Sequence, residues 1–244
     1  LRQIAGSYLM RLLWKRRYFT YAWVAGPYQF EYASRMGFAK SNIIFNVLTC
    51  DVDAFGPLAS TKLGSQDQCN FLYLGRYHPN KDLGCLMEAF KIYRDLKGTW
   101  GLILAGNGPL RDYLEKSEGI EIKEFQSADG VRALINQSSA FVLPSRKEQW
   151  GVVVQEAAVA GLPLILSNRV GSRPVFLIDG DNGYTFSCGS AHDLAQKMLQ
   201  LSSLDRETRV EMGRKSHTLG MEITPQKSAA SLMSILKNKT SSTV

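Results

Sequence analysis

Cysteine and histidine are scarce in this chain, and neither is arranged for a disulfide framework or a metal centre. Its four cysteines (Cys50, Cys69, Cys85, Cys188) lie far apart with no CxxC pair, a pattern that suits a reducing compartment and argues against a zinc site. The three histidines (His78, His192, His217) are too scattered to converge on one ion. No apolar run is long enough to cross a membrane, and the first residues lack the pattern of a signal peptide. No internal repeat is present. An opening at Leu1 rather than Met is what a fragment is expected to show.

What remains is an ordinary globular composition, 45% hydrophobic and 21% charged over 244 residues, enough for one large or two small domains with a substantial core. The net charge of +7 suits anionic ligands, an anionic membrane surface or nucleic acid, and does not choose between them. A nucleic-acid partner has no recognition motif behind it. A membrane-surface partner has one support, the basic stretch from Arg11 to Arg17.

Beyond residue 60, strand and helix patterns alternate at the spacing of βαβ units. Strands are expected at Phe71–Leu74, Leu102–Ala105, Ile120–Phe125, up to Leu143, at Leu164–Leu166 and at Tyr184–Phe186. Helices are expected at Leu83–Leu96, from Pro109, at Val131–Asn136, after Gly151, near Val175 and at Ala191–Leu201. The natural fold is α/β, a Rossmann-like parallel sheet flanked by helices. Before it, Tyr21–Val24 and Ile43–Val47 read as strands around a helix at Gln29–Met36, and Asp51 to about Lys62, with Gly56-Pro57, reads as a turn-rich linker. Pro225–Leu236 reads as a last helix after a break at Gly220, followed by a polar tail from Lys239 that is expected to be disordered.

The most informative stretch is VLPSRKEQWGVVVQEAAVAGLPLIL, Val142 to Leu166. A buried strand ends at Pro144-Ser145, a polar loop follows, and a helix with small residues (Ala157, Ala158, Ala160) runs to Gly161-Leu162-Pro163. Glu148 in the loop and Glu156 in the second helical turn therefore face one crevice beside a helix N-terminus, a place to hold a phosphate and a polyol together. Glutamates at this spacing arise often by chance, and the surrounding order of motifs is what gives them weight. Leu74-Gly75-Arg76 through Asn80-Lys81-Asp82, Gly106-Asn107-Gly108-Pro109, and Val170-Gly171 through Asp179-Gly180 and Asn182-Gly183-Tyr184 follow in one consistent series. Over roughly residues 70 to 200 the chain resembles the retaining glycosyltransferases of the GT-B fold, the family-4 group with its E-x7-E motif.

The resemblance implies a nucleoside diphosphate sugar as donor, an acceptor hydroxyl on a glycan or lipid-linked molecule, retention of configuration, no cofactor and no metal. It implies a C-terminal GT-B domain at residues 58–217, a remnant of the acceptor-binding Rossmann domain with its hinge at 1–57, and a crossing helix with polar tail at 218–244. Arg76 and Lys81 would stabilise the departing diphosphate; the plain alternative for Lys81 is a solvated lysine at a helix start. Gly75, Trp150, Gly151 and Val152 would bring backbone close to the phosphates, with the Trp150 ring itself packing. Glu156 would accept bonds from the ribose hydroxyls, against an ordinary ion pair. Glu148 would contact a sugar hydroxyl or support oxocarbenium-like charge. Phe125 would stand where the backbone meets the base, against a core aromatic. Gln149 departs from the family's Gly or Pro and bears on which donor is taken, as do Asn107 and Val175 at their positions. The implied location is cytoplasmic, or peripheral at the inner face of the membrane. Asp51-Val52-Asp53 and Asp179–Gly183 look like metal motifs and are read as structural turns. A non-catalytic nucleotide-binding module is the rival reading.

Overall fold

The computed structural model describes residues 19–64, 68–114 and 117–240, and it divides into two compact units. The larger, Asp51–Glu222, holds a six-stranded sheet made of β3 (Asn70–Leu74), β4 (Gly101–Ala105), β5 (Ile120–Lys123), β6 (Ala140–Leu143), β7 (Leu164–Ser167) and β8 (Gly183–Phe186). The strands are ordered β5-β4-β3-β6-β7-β8 and every pairing is parallel. β6 and β7 are buried along their whole length, which is why their sequences are continuous apolar runs rather than alternations.

The helices of this unit are α2 (Val52–Gly64), α3 (Leu83–Asp95), α4 (Ala128–Asn136), α5 (Val152–Val159), α6 (Arg173–Phe176), α7 (Ala191–Ser202) and α8 (Arg206–Gly220). They fall into two packed groups, α3 with α7, and α2 with α4, α5, α6 and α8. The order of the sheet makes β3 and β6 neighbours from which the chain runs outward in both directions. Their carboxyl ends thus frame the topological switch point, where open α/β sheets leave a crevice for a ligand.

Three expectations are corrected. The supposed linker from Asp51 is the helix α2, with Pro57 inside it. Asp51 caps it by accepting the N–H of Ala54 at 3.0 Å, and burial of Val52 and Phe55 outweighs the hydrogen bond that proline removes. The helix expected from Pro109 is, among the described residues, only a 3-10 turn at Arg111–Tyr113. The helix α8 was not expected at all. Its buried residues are Met212, Gly213, Ser216 and Gly220, and a single large apolar side chain among small ones gives no hydrophobic periodicity.

Those small residues are there for close approach. A Cβ on Gly213 would stand 2.3 Å from the Gly161 carbonyl oxygen, and one on Gly220 would stand 2.7 Å from the Val159 nitrogen. The other differences concern ends: β5 stops at Lys123, and α4 begins at Ala128, where Ser127 accepts the Gly130 N–H at 3.3 Å.

The smaller unit contains the described residues of Leu1–Cys50 and Ile223–Val244. Its β1 (Ala22–Trp23) and β2 (Ile43–Ile44) pair in parallel, with α1 (Pro27–Arg35) between them in sequence, around Val24, Ala33 and Ile43. Thr49 donates to the Ile223 carbonyl at 3.0 Å ahead of α9 (Pro225–Thr240), which continues into the tail expected to be disordered. Residues 241–244 and the basic stretch Arg11–Arg17 lie outside the described residues. The expected borders 57/58 and 217/218 fall inside α2 and α8.

Candidate active site

The site is built from the loops that leave β3, β6 and β7. At the end of β3 the chain passes Gly75, whose N–H bonds the Ala105 carbonyl at 3.1 Å. Gly106, at the end of β4, packs directly onto it: a Cβ there would lie 1.9 Å from the Gly75 oxygen. Tyr73 turns back to donate to the Arg76 carbonyl at 2.8 Å. Burial, with neighbouring Tyr77 and Glu148 adding, pushes the Tyr73 phenol far above its ordinary range, so it stays a donor. Tyr77, raised by burial to about 12, donates to the Lys123 carbonyl at 2.9 Å, and its N–H bonds Asn107 at 2.8 Å. With its backbone held in this way, the Arg76 side chain is exposed at the strand end.

The following turn, Pro79–Lys81, is closed by His78 Nδ1, which accepts the Asn80 N–H at 3.2 Å. It delivers Lys81 to the loop after β6, where its amine pairs with the Glu148 carboxylate. Both side chains are partly buried, at 20% and 15% exposure, so this pair is screened less than a surface one. The same two loops are joined by backbone, the Asn80 carbonyl accepting the Arg146 N–H at 2.8 Å.

Glu148 is fixed from the other side as well. Its N–H meets the Arg169 carbonyl at 3.4 Å and its carbonyl accepts the Gly171 N–H at 2.9 Å, a bridge between the loops after β6 and β7. Gly171 is required there, since a Cβ would sit 1.9 Å from the Gln149 oxygen. The Gln149 side chain is exposed. Trp150 is buried edge-on against Phe176 at 5.8 Å, so it packs, as expected of it.

Gly151 then turns the chain into α5 from a left-handed conformation, φ 84°, which glycine adopts without strain. Among the described residues the N–H groups of Gly151, Val152 and Val153 have no acceptor, so the helix start offers donors to an anion. Glu156 lies further along α5, partly buried, and burial raises its carboxyl above the ordinary carboxylate range. Among the described residues it has no cation partner, so the ordinary ion pair is not what holds it.

The structure therefore brings Lys81 and Glu148 into contact and gathers Gly75, Arg76, Gln149, Trp150, Gly151, Val152 and Glu156 on β3, the β6–α5 loop and α5, beside the switch point. Phe125 stands apart, beyond β5, two strands from β3. At 79% exposure it is not a core aromatic. Sequence reading missed the ion pair of Asp82 with Arg146 and the carbonyl of Asn80, because neither a distant pairing nor a backbone acceptor leaves a local signal. Of the two metal-like motifs, Asp51-Val52-Asp53 is the start of α2, capped by Asp51, and Asp179–Gly183 is a turn in which the Gly180 N–H bonds the Gly183 carbonyl at 2.8 Å while Asp181 pairs with Lys215. Burial raises the Cys85 thiol to about 12.

Residues 59–218 match the family described as glycosyl transferases group 1. The chain belongs to that family. It is 27% identical over 209 residues to an uncharacterised glycosyltransferase of Methanocaldococcus jannaschii, covering 79% of this chain and 58% of the relative. It is 28% identical over 158 residues to the N-acetyl-alpha-D-glucosaminyl L-malate synthase of Bacillus anthracis (62% of this chain, 40% of the relative). With the phosphatidyl-myo-inositol mannosyltransferase of Propionibacterium freudenreichii it shares 28% identity over 145 residues (58% and 37%). The chain spans about half the length of these group 1 relatives. Among solved structures it is similar to HepE of Anabaena in complex with UDP and glucose (TM-score 0.72, 14% identity, 98% of this chain, 66% of that one). It is also similar to sucrose-phosphate synthase of Thermosynechococcus elongatus (TM-score 0.74, 17% identity, 100% and 62%), so the group 1 chain has the fold of GT-B enzymes.

Proposed function

We propose that this chain carries the donor site of a retaining GT-B glycosyltransferase of family 4. In this reading a hexose-type sugar moves from a nucleoside diphosphate to an acceptor hydroxyl with its anomeric configuration kept. The observation that carries it is the meeting of Lys81 with Glu148 at the strand switch, between the end of β3 and the start of α5. In this reading the unit Asp51–Glu222 is the nucleotide-sugar-binding domain, and the smaller unit belongs to the acceptor side, with α9 as the C-terminal helix.

The chemistry follows from where charge develops. As the bond from the anomeric carbon to the diphosphate oxygen breaks, negative charge grows on the leaving group. Arg76, Lys81 and the N–H groups at the start of α5 offset it, each charge-assisted contact contributing about 1.5–3 kcal/mol. Positive charge grows on the sugar ring, next to the Glu148 carboxylate. The leaving diphosphate takes the acceptor proton on the same face. Glu156 accepts bonds from the ribose hydroxyls, and Phe125 marks the base. The cations in this scheme are side chains, so it needs no metal.

The UDP complexes of the structural neighbours support a nucleotide-sugar donor. The inositol-lipid named for the mannosyltransferase relative supports a glycan or lipid-linked acceptor. In this reading the chain works in the cytoplasm, with peripheral contact at the inner face of the membrane. No helix among the described residues is long and apolar enough to cross a membrane. Co-sedimentation with vesicles that contain anionic lipid, and with neutral ones, tests the surface contact.

Titration with UDP, GDP and ADP tests the site itself. Glu156→Gln is expected to weaken the bound nucleotide roughly tenfold through loss of charge-assisted ribose contacts. Unchanged affinity would remove Glu156 from the site. Sugar transfer lost in Glu148→Gln with nucleotide affinity kept supports the enzyme reading over a binding module.

A further inference from the structure

The loops that carry Lys81 and Glu148 are tied by a second ion pair that reaches neither donor-site residue. Arg146 Nε stands 2.7 Å from Asp82 Oδ2, a charge contact rather than an aligned hydrogen bond. Asp82 is an unusual place for a carboxylate. It occupies the N-cap of α3, where an Asp ordinarily accepts a bond from its own helix, yet it makes no such bond. Its backbone is left-handed, φ 53°, and its side chain is 8% exposed, a costly setting for a charge without a partner. Arg146 is the cation that faces it, from an arm that is itself 61% exposed. The side chain that should cap α3 is instead spent on the opposite loop.

The position of this pair suggests its use. Asp82 follows Lys81 directly, and Arg146 precedes Glu148 by two residues. Without ligand, the charge of Lys81 is neutralised by Glu148. A diphosphate entering the crevice competes for that amine, and once Lys81 turns to it the direct tie is weakened. Two anions, Glu148 and the diphosphate, then share the crevice and push its walls apart.

We infer that Asp82 and Arg146 are a positioning pair that keeps the two loops in register while Lys81 is handed from Glu148 to the donor diphosphate. The inference rests on the function proposed above. It predicts that the pair acts on the diphosphate and not on the nucleoside, which distinguishes it from a tie that only stabilises the fold.

The experiment titrates UDP, GDP and ADP, and the nucleosides uridine, guanosine and adenosine by NMR, into the full chain and four variants. Asp82→Asn removes the charge while keeping a residue that tolerates the left-handed backbone. Arg146→Gln, the double variant and Arg146→Lys complete the set, with thermal unfolding of each. Each single charge removal is expected to weaken the diphosphate roughly three- to tenfold while nucleoside affinity holds. The double variant should be no weaker than the weaker single, because the two residues act as one unit, and Arg146→Lys should recover most of the loss. Equal losses for nucleoside and diphosphate, additive losses in the double variant, or no loss would each overturn the pair's role. Wild-type chain that binds no nucleoside diphosphate would overturn the parent reading and this one with it, whereas wild-type binding that the variants leave unaltered overturns the positioning pair alone.

Discussion

Glu156 is under two opposed demands. As a ribose ligand it has to be charged, and burial in α5, with no cation partner among the described residues, disfavours that charge. Its pKa in the folded chain is therefore raised above the unfolded value. Between those two values the folded state holds a proton that the unfolded state has shed, so stability falls as pH rises through the window. Below the ordinary carboxylate range both states are protonated and nothing is lost. Above the raised value the desolvation cost is present in full. Glu156→Gln should thus raise the unfolding temperature of the ligand-free chain at neutral and alkaline pH, with the gain shrinking toward acid. Nucleotide affinity should move the other way, falling as pH drops through the raised pKa. Scanning fluorimetry across pH, with and without nucleotide, checks both signs, and a variant no more stable than wild type at any pH would contradict them.

At the scale of elements, the site depends on how closely α8 lies against the end of α5. Gly213→Ala would gain up to about 1 kcal/mol in helix propensity. It would also place a methyl 2.3 Å from the Gly161 carbonyl oxygen. Overpacking of this kind costs about 1–3 kcal/mol, so the steric term wins and the variant is expected to be less stable. Chemical denaturation reads this directly; equal or higher stability would mean the helices are free to part.

The same contact explains what could be read in the sequence. Strands such as Phe71–Leu74 and Ala140–Leu143 were legible because a buried parallel strand must be apolar along its length. The helix α8 was not, because Met212 is the one large apolar side chain on a buried face otherwise made of glycine and serine, and α2 was hidden by a proline that a capped, buried helix tolerates. In the site, Glu148, Lys81 and the Gly151 turn were singled out by the family resemblance together with their place after strand ends. The Asp82–Arg146 pair and the carbonyl of Asn80 were not, since both depend on two loops that meet only when the sheet is assembled.

At the scale of the molecule, the sheet order of the larger unit reverses between β3 and β6, where open α/β sheets leave a crevice, and the central claim is that a nucleoside diphosphate occupies it. The net charge of +7 favours an anionic occupant there without specifying one. The direct measurement is an NMR titration with UDP, GDP and ADP that follows the backbone amides. The account predicts saturable binding of at least one of them, with shifts concentrated at Gly75–Lys81 and Glu148–Glu156. No saturable binding by any of the three, or shifts that avoid both segments, would contradict it.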